Sequence, residues 1–517
     1  MSPTGGAGAV ASGARRIGQA RGSAVDIRGS LALVGLLLKY LSFATLLPAA
    51  FAIGYREPVF PFLAATAIAF TVGFGLERGF GGARRIGFRE GYLVVSLTWV
   101  AAALFGALPY ILSGESQLDR PLDALFESMS GFTTTGATVL VDVDSIDRSV
   151  LMWRQFTQWL GGMGIIVLAL AVLPRLRVGG RQLLESELPG PEIDQLADRI
   201  RDTARRLWLL YIVLTAVLFA ALVAIGGVGD DGMSPYQALG HAFSTMPTGG
   251  FSTQNDSIAG FGAATQWVIA LFMILAGMNF ALLYRAFVRR EPGAAVRDEE
   301  LRVYLGVLLV GAIVIIAEIW DEGFASGERA IRDGIFQATS IMTTTGFATF
   351  DFAGWPTLAL MTLVAMMFAG GCAGSTAGSI KVVRHVLLGK SLRRELRQTV
   401  HPEEVVPIRL NRRVLDERTV RAATAFILLY VGIWVVGAGV IALDAAFQGP
   451  DLTPIDAIAA AATTLGNVGP GLGVAGPIGS FRGFSDVSTV TMTLLMWLGR
   501  LEVIPVLVLA TRRYWRV

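Results

Sequence analysis

An all-α polytopic membrane protein is the fold this sequence predicts, with four helix, re-entrant loop, helix units behind two extra helices. Three observations predict it. The 517 residues are 53% hydrophobic and 16% charged, with a mean hydropathy of +0.58, where a soluble protein carries about 25% charged residues. The apolar residues gather into runs of the length, about 20 residues, that crosses a bilayer as a helix. Between those runs, Thr-rich stretches ending in glycine recur, "IMTTTGFATF" at 341–350 among them, and an internal repeat outranks any single motif in assigning a fold.

Residues 1–30 are small, polar and basic and read as a disordered cytoplasmic tail. The first apolar run, from Leu31, has full membrane length and reads as a retained span rather than a signal peptide. Spans are expected over 31–53, 58–77, 91–112, 149–173, 207–227, 264–288, 303–320, 357–380, 422–443 and 487–511. The first two form a leading pair within 31–80. The others divide into repeat 1 (91–175), repeat 2 (204–290), repeat 3 (300–396) and repeat 4 (419–517).

Charge sets the orientation. Arg78, Arg84, Arg85 and Arg89 follow the second span, and Arg175, Arg177, Arg181, Arg199, Arg201, Arg205 and Arg206 follow the fourth. Arg285, Arg289, Arg290, Arg297 and Arg302 follow the sixth, and a dense basic set runs from Lys381 to Arg421. The alternate loops carry Asp142, Asp144, Asp147, Asp230, Asp231, Asp321 and Glu322. Basic loops stay inside, so both termini are expected in the cytoplasm. One cysteine, Cys372, excludes a disulfide framework, and the distant His241, His385 and His401 leave little for a transition metal.

Four outer-loop segments are too short to cross: "RPLDALFESMSGFTTTGATV", "SPYQALGHAFSTMPTGGFST", "ERAIRDGIFQATSIMTTTGFAT" and "TPIDAIAAAATTLGNVGPGLG". Pro121, Pro235 and Pro454 open three of them, and Ser234 and Thr453 are good N-caps. Each reads as a half-helix followed by a loop. Aligning the endings puts Gly136, Gly250, Gly346 and Gly466 in register. Irregular backbone at membrane depth is tolerated where it is buried in protein or lines a watery cavity. Four such loops around one axis offer a ring of carbonyl oxygens that replaces the water shell of a cation. Threonine adds a hydroxyl oxygen and a stiff backbone, and glycine permits the positive φ that aims carbonyls inward. The alternative for a single copy is a polar turn at a helix end; four copies in equivalent places argue against it.

These segments resemble the Trk/Ktr/HKT superfamily of potassium transporters, most closely the membrane subunit of bacterial Trk uptake systems. "TTTGAT", "TGGFST", "TTTGFAT" and "TTLGNVGPGLG" resemble its four filter segments, and "ESELPGP", "DRIRDTARRLW" and "HPEEVVPIRLNRRV" its cytoplasmic connectors. The resemblance covers nearly the whole chain after residue 31. It implies K⁺ coordination by Thr134, Thr135 and Gly136; Thr248, Gly249 and Gly250; Thr344, Thr345 and Gly346; and Thr464, Leu465, Gly466 and Asn467. Gly136 stands where a serine accompanies sodium transport in the plant branch. Pro247 and Leu465 depart from the threonines of the other segments, so the ring is expected to be asymmetric.

Arg500, in "LLMWLGRLEVIPV", falls near the centre of the expected last span, too deep to snorkel. It reads either as half of a structural ion pair or as a pore-facing electrostatic barrier, and the resemblance supports the barrier. "AGGCAGSTAGSIKVVR" lacks the ending of a phosphate loop. It reads either as a small-residue packing loop or as a plug beneath the filter, and the family's intramembrane gate corresponds to it. Gly370, Gly371, Gly374, Ser375, Thr376, Gly378, Ser379 and Lys381 are its candidate residues.

The function expected is uptake of K⁺, the only metal ion implied, through a gated channel-like pore in a bacterial cytoplasmic membrane, with no covalent chemistry. Sodium conduction, or K⁺ coupled to H⁺ or Na⁺, is the near alternative. An intramembrane protease is the distant one, since His241 and "GSTAGS" fall on opposite sides. The resemblance further implies a homodimer and a soluble RCK/KTN-type, TrkA-like regulator that binds the nucleotides, with no cofactor on this chain. Membrane lipids are the remaining partner, and nucleic acid is not implied. The basic loops suit docking of the regulator, and setting topology explains them equally well.

Overall fold

Two of the four half-helices start at a proline behind a capping side chain. Ser234 and Thr453 each make a reciprocal capping box, with Gln237 and Asp456, ahead of Pro235 and Pro454. The structure, a computed structural model, describes residues 25–81, 87–176, 193–227, 232–320, 324–448 and 452–516. The tail before residue 25, Arg84, Arg85, Arg177, Arg181, "ESELPGP", Asp230, Asp231, Asp321 and Glu322 lie outside the described residues.

The leading pair is Ile27–Leu41 continued by Leu46–Tyr55, and Phe60–Phe80. Gly35 and Gly73 let these backbones touch, since a β-carbon on Gly35 would overlap the Gly73 carbonyl oxygen. Lys39 pairs with Glu77 between them. Repeat 1 runs Phe88–Gly106 with Leu108–Ser113, half-helix Pro121–Phe132, then Arg148–Leu176. Repeat 2 runs Ile193–Gly226, half-helix Pro235–Thr245, then Ala263–Gly277. Repeat 3 runs Glu299–Ile319, half-helix Gly327–Met342, then Thr357–Ala369 and Val382–Val400. Repeat 4 runs Glu417–Gln448, half-helix Pro454–Gly466, then Asp486–Arg500. A two-stranded hairpin, Arg409–Leu410 against Arg413–Val414, follows repeat 3.

Among the described residues six helices are long and apolar enough to span a membrane, seven if the bent pair Ala263–Gly277 and Phe280–Val288 is counted as one span. Large apolar side chains such as Ile53, Phe60, Leu309 and Val436 face outward, while threonines of the half-helix ends are fully buried. That inverted polarity is the pattern of a protein solvated by lipid around a polar centre.

Three expected spans are broken. The sixth is not continuous over 264–288: it bends by 106° after Gly277. There Asn279 accepts hydrogen bonds from the Ala281 and Leu282 amides and caps a new turn. The eighth stops at Ala369 rather than continuing to 380, because Gly370 takes φ +69. The tenth ends at Arg500. Glu502 and Val503 adopt φ +56 and +60, and Ile504–Leu509 restarts with Pro505 near its N-terminus. Proline at that place would clash with the carbonyl four residues earlier in an unbroken helix.

Candidate functional site

Each half-helix delivers its loop in the same backbone shape. Thr134, Thr248, Thr344 and Asn467 take φ of +53, +58, +57 and +53, and two residues later Gly136, Gly250, Gly346 and Gly469 take +81, +78, +86 and +103. The amides of Thr135, Gly249, Thr345 and Val468 each donate to the carbonyl five residues back, at 2.8–2.9 Å. The register of the fourth loop therefore differs from the expected one. Gly466 is the last residue of its half-helix, and Gly469 holds the place of Gly136, Gly250 and Gly346. The half-helix of repeat 4 runs on through Thr464 and Leu465, so the left-handed turn falls at Asn467.

The four loops close on one another in cyclic order. A β-carbon on Gly136 would overlap the carbonyl oxygen of Gly249; one on Gly250, that of Thr345; one on Gly346, that of Val468. One on Gly469 would lie 2.8 Å from the carbonyl oxygen of Thr135, which completes the circuit. The residues before the four glycines thus supply a ring of main-chain oxygens. Hydroxyls seven residues before Ala137, Phe347 and Pro470 hold the carbonyls of those residues: Ser130 at 2.6 Å, Ser340 at 2.6 Å and Thr463 at 3.1 Å. Repeat 2 uses Gln158 instead, which donates to the Gly249 carbonyl and accepts from the Phe251 amide. The circle is asymmetric where a threonine is missing: Asn467 donates to the Thr135 hydroxyl and to the Met496 carbonyl, both at 2.9 Å.

Segment 370–381 packs directly against this ring. The Gly378 amide donates to the Thr344 hydroxyl at 2.7 Å, and a β-carbon on Gly378 would overlap the Gly466 carbonyl oxygen. Thr376 donates to the Met246 carbonyl at 3.0 Å. Ser375 and Ser379 bond to the Cys372 and Met367 carbonyls, and the Lys381 ammonium to the Ala377 carbonyl. Gly370, Gly374, Ser379 and Lys381 all have positive φ, and a β-carbon on Gly371 would crowd the Gly277 carbonyl at 2.9 Å.

Arg500 is bonded to the same segment. It is 2% exposed and donates to the Thr376 carbonyl at 2.9 Å and to the Gly161 carbonyl at 3.4 Å. Among the described residues no carboxylate lies within ion-pairing reach of it; Glu502 pairs with Arg384 instead. Its Nε finds no partner among the described residues. His241 and Ser375, in the loop "GSTAGS", each have separate hydrogen-bond partners.

Several residues escaped the sequence reading. Asn279 donates to the Ala373 carbonyl at 2.7 Å, and buried Glu300 accepts from the Ala373 and Val383 amides. Ala373 is thereby tied to the bend in repeat 2 and to Glu300, and Glu300 also holds Val383 just past the segment. Asn279 in an apolar run was the legible signal, since asparagine caps helices. Asn255 donates to Asp142 and Asp144 and joins the loops that follow Gly136 and Gly250 in repeats 1 and 2. That hydrogen bond holds the Asp142 carboxyl below its ordinary range, while burial raises Asp144.

Spanning helices around four re-entrant loops that meet in a closed backbone ring define a pore-loop membrane protein. Comparison with known proteins gives the family. The family model described as "Cation transport protein", TrkH, matches residues 62–516, and the chain belongs to that family. It is 39% identical to the Trk system potassium uptake protein TrkH of Salmonella typhimurium, over 95% of this chain and 100% of that protein. It is 34% identical to the Trk system potassium uptake protein TrkG of Escherichia coli, over 94% of this chain and 98% of that protein. The crystal structure of the potassium transporter TrkH from Vibrio parahaemolyticus superposes with a TM-score of 0.84 at 35% identity, covering 95% of this chain and 99% of that one.

Proposed function

We propose that this chain takes up potassium across a bacterial cytoplasmic membrane through a selective, gated pore. The observation that carries this is the closed circuit of four loops, each bringing a main-chain oxygen to the neighbouring glycine. Such a ring substitutes for the hydration shell of a monovalent cation. The coordinating set is Thr134–Gly136, Thr248–Gly250, Thr344–Gly346 and Asn467–Gly469. The half-helices direct their C-terminal, partly negative ends to the same place. Outer carboxylates raise the local cation concentration, and the membrane potential drives each charge inward at about 2.3 kcal/mol per 100 mV.

Segment 370–381 is the gate. It lies against Thr344 and Gly466, and an ion leaving the ring inward meets it first. Arg500 is the barrier behind it, a buried cation whose bonds to the Thr376 and Gly161 carbonyls leave its charge uncancelled by any described carboxylate. Conduction therefore requires the gate to leave the ring. Helix Val382–Val400 continues straight from the gate and exposes Arg393 and Arg397. A soluble RCK/KTN-type regulator docked there could pull on the gate, and the nucleotides belong to that subunit. The relatives are named as parts of a Trk system, in keeping with such a partner. The functional unit is a homodimer, and both termini face the cytoplasm.

The test is growth at limiting potassium of cells stripped of their own uptake systems. Expression of this chain restores growth on this reading. Failure by a protein that reaches the membrane with its regulator present overturns it.

A further inference from the structure

Glu127 lies on the half-helix of repeat 1 and is fully buried; Arg154, 3% exposed, lies on the helix that follows. The Arg154 Nε donates to Glu127 Oε1. The pair is not a closed unit, because each partner also grips a filter strand. Glu127 accepts from the Thr138 hydroxyl at 2.9 Å and from the Val139 amide at 3.0 Å, just beyond Gly136. Arg154 donates to the Ser252 carbonyl at 3.0 Å, and its guanidinium lies 3.5 Å over the Phe251 ring, just beyond Gly250. One charge pair thus joins the strands of two neighbouring repeats, where Gly136 meets Gly249.

We propose that Glu127 and Arg154 are positioning residues that set cation discrimination by bracing the ring at the boundary between repeats 1 and 2. The proposal rests on the filter reading above and deepens it. A ring of oxygens rejects sodium to the extent that it resists contracting onto the smaller ion. Charge-assisted hydrogen bonds are about twice as strong as neutral ones, and these four fix both strands from behind. The same place in the other repeats, nine residues before the filter glycine, holds His241, Gln337 and Ala460, so only repeat 1 carries a charged residue at that place. A purely stabilising role would not need the bonds to Val139 and Ser252, since a buried pair often stabilises no more than an apolar substitute.

The experiment uses the full chain in proteoliposomes and reads rubidium uptake under competition by potassium or by sodium. Glu127→Gln keeps the shape but weakens the bonds to Arg154, Thr138 and Val139. The expected result is a loss of potassium-over-sodium preference of about tenfold, the scale of one charge-assisted hydrogen bond. The double variant Glu127→Gln/Arg154→Met leaves no buried unpaired charge. It is the working variant if the single one does not fold, and it should lose preference to a similar extent. Glu77→Gln, which unpairs Lys39 in the leading helices, should leave the preference unchanged. A folded double variant that discriminates like the unmodified protein overturns the proposal, as does an equal loss from Glu77→Gln. Lack of preference in the unmodified protein would instead refute the filter reading itself.

Discussion

Replacing Gly469 with alanine should damage the pore, and replacing Gly466 should not. Gly469 has φ +103 and a β-carbon there would lie 2.8 Å from the Thr135 carbonyl oxygen. A side chain in left-handed backbone costs ~1–2 kcal/mol, and crowding a rigid site adds ~1–3 kcal/mol. The strand will shift rather than absorb this, and the oxygens on either side of the junction move with it. Gly466 closes a half-helix, and the nearest atoms to an added β-carbon are a Val468 methyl at 3.0 Å and the Tyr430 hydroxyl at 3.4 Å. Alanine is the better helix former by ~1 kcal/mol, which offsets that contact. Rubidium uptake into proteoliposomes, normalised to folded protein, should therefore fall or lose its ion preference by at least ~10-fold for Gly469→Ala. For Gly466→Ala it should stay within about threefold, ~0.7 kcal/mol. The reverse ranking would refute the register and with it the circuit of loops.

Other perturbations test the remaining parts. Arg500→Ala should raise rubidium flux, because it removes a buried cation and a tie to the Thr376 carbonyl; a folded but inactive protein contradicts this. Glu300→Ala should increase leak by releasing the Ala373 and Val383 amides, ~1–3 kcal/mol of tethering, whereas Glu300→Gln keeps an acceptor and should leak less. Unchanged leak in both counts against the gate. Asp142→Asn with Asp144→Asn should weaken uptake at low ionic strength and converge with the parent at high salt, as screening predicts; a salt-independent loss points to the bonds with Asn255 instead.

The half-helices were legible because proline, a capping hydroxyl and a short apolar run are local signals, as at Ser234–Pro235 and Thr453–Pro454. The irregular backbone of segment 370–381 was legible for a similar reason, since its glycines cannot hold a helix. The fourth register was not, because "TTLG" imitates the threonine-glycine ending of the first and third loops while the turn falls at Asn467. Nothing in the local pattern separates a glycine that ends a helix from one that turns the loop after it; the contact with Thr135, more than 300 positions away, does. Breaks at Asn279 and Pro505 carried local signals that a count of apolar residues overrode. The pairs Arg154–Glu127 and Arg384–Glu502 join residues 27 and 118 positions apart, and periodicity holds no trace of them.

Rubidium uptake by the unmodified chain, driven by an inside-negative potential and challenged in turn by potassium and sodium, tests the central claim most directly. Potassium should compete effectively and sodium should not until it is in large excess. Equal competition by both ions, or uptake that ignores both, would contradict a selective ring of main-chain oxygens.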